Sequence, residues 1–186
     1  MQAVRFSLPA LSLAGWQQGP TEQKVTLCLH GWLDNADSFL PLSACLNELN
    51  LVAIDLPGHG QSQHRSPDAH YHFLDWIYDL ATLIKTMGWQ QVDIIGHSMG
   101  GMIGSVLAAV MPQMVGKLVL IDSIGLVTGE AGKTTEQVRS AIQHRWQSPH
   151  KQKPLYPDLQ SAALARQNQS DFDISSALIL TRRGTT

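Results

Sequence analysis

The sequence predicts an α/β fold, in which a mostly parallel sheet carries helices on both faces. Apolar runs rich in β-forming residues alternate with stretches of helical period as far as residue 123. The run at 24–31 is compact, apolar and rich in β-forming residues, which is typical of a central strand buried on both faces. Strand–helix–strand units place such strands side by side and parallel, with their C-terminal ends at one edge. The strands expected to be neighbours in this way end at His30, Asp55, Gly96 and Asp122.

Each element up to residue 123 follows from a local pattern. Val4, Phe6 and Leu8 alternate with polar residues as in a strand, and a second short strand follows Pro9. The further strands are predicted at 24–31, 51–56, 91–98 and 116–123. Apolar residues at helical spacing predict helices at 35–50, 70–89 and 98–111.

The pattern changes after Gly129, where the sequence predicts helices and no confident strand. Two helices are expected at 134–147 and 156–169, with a proline-containing loop between them. The stretch 173–184 could form a strand, but its apolar residues keep a helical period and favour a helix.

Composition and charge exclude several classes of protein. The chain has 186 residues, 44% of them hydrophobic and 15% charged, with a net charge of -2 and a pI of about 6.4. The sequence contains no stripe of basic residues that would indicate a nucleic-acid partner. It also contains no apolar run as long as the ~18 residues of a membrane span. We therefore expect a single cytoplasmic domain with a small-molecule partner. Cys28 and Cys45 lack metal-type spacing and are predicted to be reduced core residues.

A G-x-S-x-G motif lies at Gly96–Gly100, where a predicted strand meets a predicted helix. That context is the one required of a nucleophile elbow, so Ser98 is the candidate catalytic nucleophile, with strained backbone angles. Glycines at 96 and 100 remove clashes with neighbouring backbone, and Gly101 and Gly104 let the helix approach the sheet. The alternative is a glycine-rich turn with an incidental serine.

The stretch LHGW at 29–32 supplies a candidate oxyanion hole. A tetrahedral oxyanion needs two preorganised N–H donors. The backbone N–H of Met99 can be one donor and that of Trp32 the other, and their N–H groups should face the same cleft as Ser98. His30 is expected to pack in the loop rather than to act as a base. The alternative is an ordinary strand-to-loop turn.

Four stretches in order, LCLHGW, VAIDLPGHGQS, IIGHSMGG and LVLIDS, make residues 25–125 resemble the alpha/beta-hydrolase superfamily. Within it, HGWLDNADSF and TRRGT are similar to the serine-hydrolase-like proteins. The resemblance implies Ser98 as nucleophile, ester-type substrates, and neither a metal nor an organic cofactor. It also implies that residues 1–128 are the N-terminal part of the hydrolase core, with a helical cap, or its first part, at 129–186.

The acid and the base are harder to locate. The resemblance implies the chain order serine, acid, histidine. Only His144 and His150 follow Ser98, and His144 lies within a helical pattern typical of a solvated surface. Asp122 ends a strand and could be the acid, although a structural role is the simpler interpretation. We expect the chain to stop within the cap, and both partners therefore to be absent from it.

Several functions remain open at this stage. The leading one is acyl transfer from an ester to water, impaired by the missing partners. A haloalkane dehalogenase or epoxide hydrolase would use an aspartate where Ser98 stands, whereas a cofactor-free perhydrolase shares the serine motif. The chain could also be a non-catalytic protein that binds a ligand or partner. Leu118, Leu120 and Ile121 lie on a possible open sheet edge, which predicts self-association.

Overall fold

A six-stranded sheet organises the part of the chain that the computed structural model describes, which is residues 1–126, 128–147, 154–168 and 173–184. The strands are β1 Gln2–Ser7, β2 Ser12–Gln18, β3 Val25–Leu29, β4 Asn50–Ile54, β5 Val92–His97 and β6 Val115–Ile121. Their order across the sheet is β1-β2-β4-β3-β5-β6. β1 and β2 are antiparallel to their neighbours, whereas β4, β3, β5 and β6 are mutually parallel. The predicted parallel quartet is therefore confirmed.

Six α-helices accompany the sheet within the described residues. They are α1 Leu40–Ser43, α2 Phe73–Thr86, α3 Met99–Val110, α4 Thr134–Gln147, α5 Leu159–Gln167 and α6 Ile174–Gly184. A 3-10 turn, Ala36–Phe39, leads into α1. After α2 the chain passes through Gly88 at a positive φ of 69°, as expected of the glycine that follows a helix. The predicted helices after residue 129, including the one at 173–184, are confirmed.

The core lies on both faces of the sheet. Leu27, Leu29 and Ile94 point to the face covered by α2 and α3. Cys28 and Ile95 point to the opposite face, where they pack with Phe39 and its neighbours. Every residue of β3 is buried, which confirms the double-sided burial predicted from its apolar run, and every residue of β4 is buried as well. Burying a large apolar side chain contributes about 1.5–3 kcal/mol, so these central strands carry much of the stability.

Two expectations about the segment between β3 and β4 are wrong. The helix predicted at 35–50 is reduced to the 3-10 turn and the single turn of α1. The chain then continues through i→i+3 hydrogen bonds, among them Cys45 N–H to Leu42 O and Leu46 N–H to Ser43 O. Cys45 is consequently exposed and is not a core residue, although Cys28 is buried as predicted.

The helices after β6 differ in how they meet the core. α4 contains no buried residue. α5 and α6 pack against each other, and α6 also packs against the 3-10 turn. In the described parts of the chain, no helix combines the length and apolar character needed to cross a membrane.

Candidate active site

Ser98 occupies a strained turn between β5 and α3. Its backbone angles are φ 47° and ψ −114°, outside the regions that side-chain-bearing residues ordinarily adopt. The Ser98 N–H donates to the carbonyl of Ile121 at 3.0 Å, and its own carbonyl accepts from the N–H of Met102 at 3.1 Å. The sequence-based expectation of strain at this serine is confirmed.

The glycines around Ser98 are required by close backbone approach. A Cβ on Gly96 would lie 2.6 Å from the Cα of Gly101, and one on Gly100 would lie 2.1 Å from the carbonyl oxygen of Leu29. Real Cβ atoms essentially never come so close to backbone. Gly104 is tight as well, with its hypothetical Cβ 3.0 Å from the Ile94 side chain. The helix can therefore begin directly against the ends of β3 and β5.

The loop after β3 lies against this turn. A Cβ on Gly31 would be 3.4 Å from the Cβ of Ser98 and 3.0 Å from Nδ1 of His97. The residue beside Gly31 is Trp32, whose side chain is 59% exposed. Within the described chain, neither the Trp32 N–H nor the Met99 N–H donates a hydrogen bond. The structure therefore brings the predicted donor loop next to the predicted nucleophile.

His30 holds this loop to the next one. Its Nε2 lies 2.9 Å from the backbone N–H of Leu56, so Nε2 accepts and the proton resides on Nδ1, which donates to the Gly31 carbonyl at 2.7 Å. Complete burial lowers the pKa of His30 to about 3, so the ring is neutral at physiological pH. Because the carbonyl and N–H of one peptide point in opposite directions, this bond also orients the Trp32 N–H. His30 is a packed loop residue, as predicted.

Backbone strain is concentrated near the C-terminal ends of the parallel strands. Among the described residues, the non-glycine residues with positive φ are Leu33, Ser98 and Asp122, at 58°, 47° and 49°. They follow β3, β5 and β6 respectively. Strain of this kind is tolerated where the surrounding structure enforces it, and it clusters at functional sites.

The candidate acid and bases are not joined to Ser98 by any described contact. Asp122 is exposed and directly follows Ile121, the residue whose carbonyl binds the Ser98 N–H. His144 is exposed in the last turn of α4, and His150 lies outside the described residues. Within the described chain, the Ser98 Oγ forms no hydrogen bond. The described part of the chain also contains no group of three or more His, Cys, Asp or Glu side chains that could hold a metal ion.

Asp55 is a buried hub that the motif-based prediction missed. Its carboxylate is fully buried and accepts from the Ala36 N–H at 2.8 Å, the Gln61 N–H at 2.9 Å and Nε of Arg183 at 2.7 Å. It thereby joins the loop after β3, the loop after β4 and helix α6. Gly60, at φ 50°, is needed here because a Cβ would lie 2.4 Å from the Asp55 carboxyl carbon.

Two further contacts tie the helical segment to the loop after β3. Arg166 of α5 pairs with Asp34 at 2.9 Å, and the Asn35 amide donates to the Leu180 carbonyl of α6 at 2.7 Å. Burial raises the pKa of Asp34, and the Arg166 charge opposes that rise. Arg183, within TRRGT, also lies 3.7 Å from the Asp37 carboxylate, within HGWLDNADSF. The two stretches that carry the finer family resemblance therefore contact each other, and their joint occurrence was the available sequence signal for this network.

A cavity of about 320 Å³ lies between the segment 34–42 and α6. Phe39, Leu42 and Ile179 form apolar walls, and His97 and Ile121 connect the cavity to the strand ends beside Ser98.

Known proteins resemble this chain in architecture and in sequence. A family model described as alpha/beta hydrolase fold matches residues 24–164. The Serine hydrolase-like protein of Homo sapiens is 33% identical over 156 residues, covering 82% of this chain and 77% of that protein. The Serine hydrolase-like protein of Danio rerio is 37% identical over 139 residues, which are 74% of this chain and 43% of that protein.

A solved structure agrees over nearly the whole chain. The crystal structure of a hypothetical protein from Pseudomonas aeruginosa PAO1 matches with a TM-score of 0.93 at 37% identity. The match covers 98% of this chain and 65% of that one, so this chain spans about two thirds of that protein and less than half of the zebrafish relative. The fold, the family model and these relatives agree: the chain belongs to the alpha/beta hydrolase family and is related within it to the serine hydrolase-like proteins.

Proposed function

We propose that this chain carries the nucleophile and oxyanion hole of a serine hydrolase that cleaves carboxylic esters by acyl transfer to water. The observation that supports this most is the strained turn at Ser98 between β5 and α3, for which Gly96 and Gly100 make room. A G-x-S-x-G turn in this setting exposes the serine oxygen at the edge of the sheet. The membership of the alpha/beta hydrolase family supports the same reaction class.

In the proposed reaction the Oγ of Ser98 bonds to the ester carbonyl carbon and gives its proton to a base. The tetrahedral oxyanion then collapses, the alcohol leaves with a proton, and water hydrolyses the acyl-serine to the acid and free Ser98. The N–H groups of Trp32 and Met99 are the proposed oxyanion donors. Removing one such donor costs about 10²–10³ in turnover, so orientation of the Trp32 peptide by His30 matters to the rate.

We further propose that the 186-residue chain turns over slowly on its own. A serine without a base is a weak nucleophile, and no described residue accepts its proton. Enzymes stripped of triad members keep roughly 10³–10⁴-fold acceleration from the oxyanion hole and binding, against about 10⁶ from the triad.

The test combines covalent labelling with turnover. A fluorophosphonate should modify Ser98 slowly and selectively, as located by peptide mass mapping, because the oxyanion donors also stabilise the phosphonyl transition state. Ser98→Ala should lose the modification, whereas Ser105→Ala, a change on the same helix, should keep it. Labelling that is equal in the wild type and Ser98→Ala would refute the proposed nucleophile.

Turnover of an activated ester from pH 5 to 9 tests the missing base. We expect slow hydrolysis without the steep rise near neutrality that a titrating histidine gives, and little change in Ser98→Ala. Brisk turnover that Ser98→Ala abolishes would show that a base exists in the chain. The candidates would then be His144 or His150 with Asp122 as the acid.

A further inference from the structure

The loop after β3 makes a tight turn between Gly31 and Asp34. The Gly31 carbonyl accepts from the Asp34 N–H at 3.2 Å, so Trp32 and Leu33 are the two central residues of the turn. Leu33 has φ 58°, a positive value for which the second central position of a turn ordinarily uses glycine. A turn with a strained leucine at its centre persists only where the surrounding structure enforces it.

This turn sets the direction of one proposed oxyanion donor. The Gly31 carbonyl belongs to the same planar peptide as the Trp32 N–H, and the two groups point in opposite directions. The carbonyl accepts two hydrogen bonds, from Nδ1 of His30 at 2.7 Å and from the Asp34 N–H at 3.2 Å. The peptide is therefore restrained by His30 before the turn and by Asp34 at its end.

Asp34 is fixed in turn by a side chain of α5. Nη2 of Arg166 lies 2.9 Å from a carboxylate oxygen of Asp34, and the two side chains are 27% and 11% exposed. Burial raises the pKa of the Asp34 carboxyl group and the Arg166 charge opposes that rise, so Arg166 offsets part of the cost of burying a carboxylate. The pair joins positions 132 residues apart and connects the end of the turn to the helical segment after β6.

α5 has a defined position from which Arg166 acts. The Asp158 side chain caps its N-terminus, and the helix packs against α6. α6 is tied to the loop after β3 separately, because the Asn35 amide donates to the Leu180 carbonyl at 2.7 Å. Removal of the Arg166 charge would therefore release the Asp34 side chain while α6 stays attached.

We propose that Arg166 is a positioning residue for ester hydrolysis, which acts through Asp34 to keep the Gly31–Trp32 peptide turned so that the Trp32 N–H donates to the oxyanion. The inference rests on the proposed reaction at Ser98 and gives α5 a part in it. A donor contributes to the rate only while it is aimed at the oxyanion. A turn that opens in a fraction of the molecules therefore slows the reaction without any change at the serine.

Backbone amide signals of the ¹⁵N-labelled protein report on the turn without any reaction. Arg166→Met removes the charge but keeps a long side chain, so the Asp34 N–H should exchange with water roughly three- to tenfold faster, as expected from the loss of one partly exposed ion pair. The Trp32 amide signal should shift as well, whereas that of Met99, on α3, should not. Arg166→Lys should restore most of the protection. Unchanged exchange of the Asp34 N–H in Arg166→Met would overturn the proposal.

The rate at which a fluorophosphonate modifies Ser98 tests the effect on the reaction. It should fall roughly three- to tenfold in Arg166→Met and equally in Asp34→Ala, which keeps the backbone N–H of the turn. The double variant should be no slower than either single variant, because both changes interrupt the same connection. Arg182→Met, at an exposed arginine of α6, should react as the wild type does. Multiplied losses in the double variant, or an equal loss in Arg182→Met, would show that Arg166 does not act through Asp34.

The two proposals fail in different ways. If the reagent leaves Ser98 of the wild type unmodified, the hydrolase proposal fails, while the exchange of the Asp34 N–H still decides whether Arg166 holds the turn. If Ser98 reacts at the same rate in the wild type and Arg166→Met, the positioning role is wrong and the proposed nucleophile stands. Asp34→Ala supplies both measurements if Arg166→Met does not fold.

Discussion

At the scale of single residues, the site combines strain with tight restraint. Ser98 is held at φ 47° by hydrogen bonds on both sides, one to Ile121 and one from Met102. Gly100 cannot carry a side chain because the Leu29 carbonyl occupies that space. The serine is therefore kept in an unfavourable conformation by neighbours that cannot move independently, which suits a nucleophile that must stay aimed at one point.

The strain at Ser98 can be measured by comparing two substitutions that both remove the hydroxyl. Ser98→Gly should be more stable than Ser98→Ala by about 1–3 kcal/mol, because glycine adopts positive φ without steric cost. Ser105, inside α3, is the matched control, and there glycine should be about 1 kcal/mol less stable than alanine. Urea unfolding of the four variants gives the free energies. The same order at both positions would contradict strain at Ser98.

His30 should make the fold sensitive to acid. Its pKa is about 3 in the folded protein, and an unfolded histidine titrates near 6.5. Between those pH values His30 is protonated in the unfolded chain but not in the folded protein. The free energy of unfolding therefore falls by about 1.4 kcal/mol per pH unit as the pH drops below 6.5. Above pH 6.5 this contribution is complete.

The measurement is the free energy of unfolding at pH 7.5 and pH 5. Replacement by asparagine in His30→Asn removes the titration, so the wild type should lose about 2 kcal/mol more than this variant between the two pH values. His70→Asn changes an exposed histidine and should lose as much free energy of unfolding between pH 7.5 and pH 5 as the wild type does. An identical pH dependence in the wild type and His30→Asn would rule out the burial effect.

The local parts of the site could be predicted from the sequence, and the long-range parts could not. Ser98 and its glycines follow from a five-residue motif between a strand and a helix, because the geometry of a tight turn depends on adjacent residues. The bond between Asp55 and Arg183 joins positions 128 residues apart, and nothing in either local pattern specifies the partner. Asp55 lies in a stretch that carries the superfamily resemblance and Arg183 in one that carries the finer resemblance, and neither stretch indicates that the two side chains meet.

At the scale of elements, the segment before β4 shows how polar side chains override an apolar period. Leu42 and Leu46 are only half-buried, and Leu49 is exposed. The Ser43 hydroxyl and the Asn47 amide donate to the backbone carbonyls of Leu40 and Ala44, three residues before each. Such bonds compete with helix hydrogen bonding, and the chain takes i→i+3 turns into β4 instead of a helix. Periodicity alone could not reveal this competition.

The attachment of α6 should depend on Arg183. Its side chain is 11% exposed and pairs with the fully buried Asp55 carboxylate, so Arg183→Met would leave that charge without a cation. Breaking a buried pair on one side costs about 3–5 kcal/mol. Arg182→Met, at the exposed neighbouring position, should change stability by less than about 0.5 kcal/mol. Equal unfolding midpoints of the two variants in urea would show that the pair does not hold α6.

At the scale of the whole molecule, the two ends of the sheet differ. At one end, β1 is polar on its outer side and is joined to β2 by a tight turn at Pro9. At the other, β6 pairs only with β5 within the described residues, and most of its side chains are exposed. Val119, Leu120 and Ile121 are 51%, 37% and 38% exposed. An apolar strand with one unpaired edge is a template for pairing with another chain.

We therefore expect the 186-residue chain to self-associate through β6. Sedimentation velocity at micromolar concentration should show species larger than the monomer. Val119→Lys places a charge on the exposed strand and should shift the distribution towards the monomer, because edge lysines oppose pairing. Val138→Lys is the matched control, since Val138 is similarly exposed on α4, and it should behave as the wild type. A monodisperse wild-type monomer would contradict the prediction. If only Val138→Lys gave a monomer, the association would take place through α4 and not through β6.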